Sequence, residues 1–148
     1  MELQTLYSDE TAQVHVNQED SYIGIRWLTH PESSTFRDII TRAHAYAHEH
    51  HLTKWLCNME QAEFLELADQ HWLVEEIFTA FNPQLQHDYA YIIRPLVAEV
   101  LTTYHIQDLV QVDEQLKEKV NVAVFMDIDQ AYQWLFTSSN PVTLPPQP

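Results

Sequence analysis

Among 148 residues there are one glycine, one cysteine and seven basic side chains, and each scarcity removes a class of function. Walker A loops, dinucleotide-binding GxGxxG turns and kinase glycine loops need several glycines where backbone must approach a phosphate. Gly24 alone supplies none of them. A Gly-x-Ser-x-Gly nucleophile elbow is excluded on the same ground. The turns fall to Asn, Asp, Ser and Pro. Cys57, in the run Trp55-Leu56-Cys57, rules out an internal disulfide and any multi-cysteine metal site. A thiol in such an apolar run reads as structural rather than as a nucleophile, and this cysteine usage fits a reducing compartment.

Charge of one sign is also scarce. Seven Lys+Arg stand against 22 Asp+Glu, a net charge of −15. The seven (Arg26, Arg37, Arg42, Lys54, Arg94, Lys117, Lys119) are scattered, whereas a phosphate backbone is held by clustered cations. Nucleic acid and anionic membrane surfaces are therefore poor partners. The acidity reads as solubility and repulsion between copies. Nine histidines, protonated below about pH 6.5, relieve part of it. No apolar stretch approaches the roughly 20 residues of a membrane span, and Met1-Glu2-Leu3-Gln4 does not open a signal peptide. The expectation is a cytoplasmic protein.

What is present is a globular composition, 45% hydrophobic and 11% aromatic. A chain of this length buries roughly 68–70% of its unfolded surface, enough for a core without staples. Leu3–Tyr7 reads as a short strand, Val14 and Val16 alternate with His15 and Asn17 as a second, and Tyr22–Leu28 is a third. In the third strand Ile23, Ile25 and Trp27 take the opposite phase to Tyr22 and Arg26. Ser33 or Ser34 caps a helix running to about His50, with Phe36, Ile39, Ile40, Ala43 and Ala47 on its apolar face. Leu52–Met59 suits a central strand buried on both faces.

A second helix covers Leu67–Phe81, ended by Asn82-Pro83. Tyr89–Arg94 is a strand stopped by Pro95, Leu96 to about Glu118 is helical with a break near His105, and Val120–Met126 is a last strand. Asp127, with Gln130 three residues on, signals a capping box for a final helix carrying Ala131, Trp134 and Leu135. Pro141, Pro145, Pro146 and Pro148 mark 138–148 as an extended or disordered tail. The order predicts a single α/β domain over 1–137, with a mixed sheet that opens antiparallel and helices mainly on one face.

Three segments carry a family resemblance: Lys54-Trp55-Leu56 opening the central strand, Asp69-Gln70-His71-Trp72-Leu73 in the second helix, and Phe125-Met126-Asp127 leading to Ala131 and Trp134-Leu135. Together with the order of elements, they make the chain resemble the bacterial SpoIIAA-like, or STAS-like, domains. In members that antagonise anti-sigma factors, the resemblance implies a phosphorylatable Ser after an Asp where the central strand meets the next helix. Here that junction, Cys57-Asn58-Met59-Glu60-Gln61-Ala62, has no hydroxyl. Thr53 precedes the strand, and Ser33 and Ser34 belong to the first helix, so the switch residue does not carry over. Kinship in fold with SEC14-like lipid binders implies an apolar-ligand alternative, by analogy.

Three constellations bear on chemistry. His44, His48 and His51 recur at i, i+4, i+7, within about 60° of a helix face, a spacing that can hold Zn²⁺. No HExxH order accompanies them, and His⁺ is favoured at a helix C-terminus by the dipole, so no metal is expected. The carboxylate pairs Glu75-Glu76 and Asp127-Asp129 read as a solvated face and a cap. No enzyme signature and no cofactor motif is present. On the second helix, Leu73, Val74, Ile77, Phe78, Ala80 and Phe81 span about 160°, more than a one-sided helix needs, with Trp72 outside the arc. Trp72, Val74 and Phe78 are therefore the expected association surface. The function expected is a non-enzymatic regulatory or interaction domain acting through protein–protein contact, with a second copy as a homodimer or with another protein partner, and binding of a small apolar ligand of SEC14-like character is the alternative.

Overall fold

The computed structural model describes residues 1–63, 65–94 and 97–137. Alternating side chains build its first half. β1 (Gln4–Ser8), β2 (Ala12–Asn17) and β3 (Tyr22–Trp27) pair antiparallel in chain order. Short polar side chains close the turns: the Asp9 carboxylate accepts from the Thr11 and Ala12 N–H groups at 2.7 and 2.9 Å, and Asn17 Oδ1 accepts from the Asp20 N–H at 2.9 Å. Ile23, Ile25 and Trp27 enter the larger core while Tyr22 joins the smaller one behind the sheet, the alternation expected of β3.

From β3 onward the chain alternates. α1 (Ser33–His50), β4 (Lys54–Asn58), α2 (Leu67–Trp72), β5 (His87–Ile92), α3 (Val97–Gln111), α4 (Glu114–Lys119), β6 (Val120–Phe125) and α5 (Ile128–Thr137) come next. β3 to β6 are parallel neighbours, which gives a six-stranded mixed sheet in the order β1-β2-β3-β4-β5-β6. Because each crossover steps the same way across the sheet, right-handedness sends all of them over one face. Phe36, Ile39 and Ile40 of α1, Ile106 and Val110 of α3 and Leu116 of α4 accordingly share one core. α5 is no crossover; its Ala131 and Leu135 pack behind the sheet against Tyr22, Leu56, Ala90 and Ile92. All five residues of β4 are buried, as a strand covered on both faces must be.

Several local expectations are corrected. The N-cap of α1 is Glu32, without a side-chain bond, and not Ser33 or Ser34. Ser33 Oγ donates instead to Asp69 Oδ1 at 2.6 Å, where Arg37 Nε also binds at 2.9 Å, tying α1 to α2. The break between α3 and α4 falls at Val112-Asp113 rather than His105, because the Asp113 carboxylate caps α4 through the Gln115 and Leu116 N–H groups. The Leu67–Phe81 helix is not uniform. After α2 the Phe78 N–H reaches back to the Leu73 and Val74 carbonyls, a π-type widening over Leu73–Ile77, and a tight turn comes after it over Phe78–Ala80. The tail at 138–148 lies outside the described residues.

Candidate binding site

The α2 segment does not present the surface expected of it. Val74 is 5% exposed and Phe78 0%, both in the main core, so neither can line an interface in the folded chain. The widened turn is the physical reason, since residues within it advance by less than the 100° of a regular helix, which swings Val74 and Phe78 towards the side of Leu73 and Ile77. The 160° arc drawn on a straight wheel is thereby folded into the core. Phe78 packs edge-on to Tyr89, with ring centroids 5.0 Å apart, and 5.4 Å from Phe81. Trp72 is half-buried, edge-on to Phe36 at 6.1 Å, with the Arg37 guanidinium 5.3 Å from its ring centroid.

The histidines of α1 divide. The His44 ring stacks on Phe81 at 5.6 Å, and Phe81 stacks on His87 at 4.6 Å and on Trp55 at 5.6 Å. His44 and His48 rings are 5.9 Å apart, while His51 takes a left-handed backbone, φ 56°, that ends the helix. With Leu52, Asn82, Leu85 and His87 they surround only about 10 Å³, the room of one water molecule. Among the described residues no group of three or more His, Cys, Asp or Glu is arranged to hold a metal ion. Burial lowers the pKa of His44, helped by the neighbouring His48, and brings His87 down to about 4. These rings act as aromatic plates of the core.

Cys57 is fully enclosed, and burial pushes its thiol up to about 12 against weaker opposing contacts with Trp27 and Tyr89. A thiol held protonated inside the core is no nucleophile at neutral pH. Among the described residues no helix is long and apolar enough to cross a membrane.

An apolar recess lies where sequence reasoning singled out nothing, between the β1-β2 hairpin and α1. It encloses about 230 Å³ between Leu6, Val14, Ile39 and Ala43, with Tyr7, Arg42 and Tyr46 among its lining residues. A bulge makes it: Thr5 pairs with His15 and Tyr7 with Val14, so Leu6 is the extra residue, and Tyr7 moves onto the face that carries Val14. Gln18 Nε2 donates to Tyr46 Oη at 2.8 Å, and Tyr7 donates to Asp9. The one cation there is engaged. Arg42 pairs with Asp38 at 3.2 Å, and its guanidinium lies 5.8 Å from the Tyr7 ring centroid. The available signal was Leu6-Tyr7, two adjacent large residues that break the period of a half-buried strand.

Above this cleft the outer edge of β1 pairs with nothing among the described residues, and its five residues, Gln-Thr-Leu-Tyr-Ser, carry no charge. Against known proteins, the chain matches no family model, no curated protein and no solved structure.

Proposed function

We propose that this chain is a binding domain and not an enzyme, and that its ligand is a small uncharged apolar molecule held between the β1-β2 hairpin and α1. The observation that carries the reading is the 230 Å³ cleft with aliphatic walls. An apolar recess of about 150 Å³ is enough to take a benzene-sized molecule. Arg42 at the rim is paired with Asp38, so the two together bring no net charge to the cleft. An apolar body is the selected feature, as in the SEC14-like analogy.

The test is a fluorescence titration of the full chain with the neutral dye N-phenyl-1-naphthylamine. Saturable enhancement is expected, weakened about tenfold by Leu6→Asp, since Leu6 is 37% exposed and tolerates the change while the new carboxylate faces the dye. Equal binding by a folded Leu6→Asp variant overturns the reading.

A second reading, self-association, is supported by the uncharged outer edge of β1. Most natural sheet edges are guarded by charge or proline, and two copies related by a two-fold axis could pair these edges. At −15 per chain the contact should tighten with added salt. Sedimentation of wild type beside Thr5→Pro tests it: a dimer lost in the variant supports the reading, and a monomer at high salt ends it.

A further inference from the structure

Behind the sheet, α5 covers β4, β5 and β6 and leaves the neighbouring part of that face open. Strand register sets what the open part displays. Gln13, Arg26 and Asn58 stand side by side on β2, β3 and β4, and His15, Gly24 and Leu56 form the adjacent row. These rows floor a groove of about 180 Å³, and Tyr22, Ile128 and Tyr132 are among its other lining residues. The only glycine of the chain lies in this floor. A Cβ on Gly24 would stand 2.2 Å from the Tyr22 hydroxyl, so the missing side chain lets the Tyr22 ring lie across the strand. The Tyr22 and Tyr132 hydroxyls are 3.5 Å apart.

Two observations give this groove a sign. First, Arg26 is exposed and, among the described residues, is the only one of the seven basic side chains without an acid, carbonyl or ring partner; Arg37, Arg42, Lys54, Lys117, Lys119 and Arg94 each have one. Second, in a chain with 22 acidic side chains none of the described lining residues is a carboxylate. Beside Arg26, Asn58 accepts the Glu60 N–H on its Oδ1 at 3.0 Å. That bond fixes the amide orientation and leaves the Nδ2 donors without a partner among the described residues. A guanidinium fork and an amide N–H₂ on adjacent strands, about 4.8 Å apart, match the two oxygens of a carboxylate.

We propose that this groove binds a small carboxylate with a ring-sized apolar body, the carboxylate on Arg26 and Asn58 and the ring against Tyr132 and Ile128. The site is separate from the hairpin cleft, which lies on the other face of the sheet and whose arginine is paired.

Gly24 is also the reporter. ¹⁵N-glycine labelling of the full chain gives a single amide resonance, which comes from the groove floor. Titration with phenylacetate to about 10 mM, the range expected for a ligand of this size, should shift it saturably. 2-Phenylethanol, which lacks the charge, and acetate, which lacks the ring, should bind at least about tenfold more weakly, and phenethylamine should not shift it. Arg26→Gln should weaken phenylacetate about tenfold while Arg26→Lys keeps part of the affinity. An unmoved Gly24 resonance overturns the proposal, as does an equal response to phenethylamine or to acetate. Full affinity in a folded Arg26→Gln variant overturns it too.

Discussion

Lys54 and Asp88 stand opposite each other in the register of β4 and β5, Nζ 2.5 Å from Oδ2, with side chains 11% and 6% exposed. Asn121 of β6 donates to the other Asp88 oxygen at 3.1 Å, so a polar row crosses three parallel strands at their N-terminal ends. Desolvating two charges consumes most of what their attraction returns, but removing one partner strands the other without water. Lys54→Met should therefore cost about 3 kcal/mol, and Lys54→Met/Asp88→Leu should recover more than half of it. Urea unfolding of the single and double variants decides. A single variant as stable as wild type would show that the pair is effectively solvated.

The pH dependence of stability should carry a mark of His87. Burial brings its pKa down to about 4 in the folded chain, against an ordinary 6.5. Between these values the unfolded chain binds the proton better, so the contribution is complete above pH 6.5 and is lost as pH falls towards 4. Its size is on the order of 2 kcal/mol. His87→Phe keeps the stacking on Phe81 and removes the titration. Protonation of the many carboxylates acts on both proteins alike, so the difference between their stabilities, followed from pH 7.5 to 4, isolates the histidine. A constant difference across that range would refute the assignment.

Local chemistry and the antiparallel opening of the mixed sheet were legible in the sequence, and side-chain pairing between separate strands was not. The phase of β3, the two-sided burial of β4 and the apolar stripe of α1 arise from periods of two and 3.6 that the residues display. The helix break was misplaced because its cause, the Asp113 cap, competes with no apolar signal. The π-type turn after Trp72 changes the angle between residues but leaves no mark in the sequence, so a regular wheel places Val74 and Phe78 in the wrong environment. The Lys54–Asp88 pair, the cleft behind Leu6 and the Arg26 groove depend on register between separate strands or on a bulge, which no local pattern encodes.

Gly24 is needed for a contact and not for a turn. An alanine there would drive a methyl into the Tyr22 hydroxyl, 2.2 Å away, while Tyr132 and Phe136 hold the Tyr22 ring with centroids 5.9 Å off. Gly24→Ala should destabilise by about 1–3 kcal/mol, as overpacking does. Tyr22→Phe removes the oxygen but leaves Cζ at 2.8 Å, so it should rescue only part of the loss. A double-mutant cycle in urea measures this coupling; no coupling would mean that the ring moves aside freely.

The same experiment that would have mapped an interface on α2 now reads out the core. Phe78 is fully enclosed by Tyr89, Phe81 and the sheet, and Val74 nearly so. Truncating a buried Phe to Ala costs about 3–5 kcal/mol through lost transfer energy and an unfilled cavity. Phe78→Ala should therefore fall in that range, Val74→Ala at about 1–3 kcal/mol by its smaller volume, and Trp72→Ala below Phe78→Ala because the Trp72 side chain is only partly buried. An interface residue behaves differently, since its loss depends on protomer concentration through the association equilibrium. Thermal unfolding at two protein concentrations a hundredfold apart separates the two cases. Tm decrements that do not change with concentration place these residues in the core, and decrements that vanish on dilution would restore them to an interface.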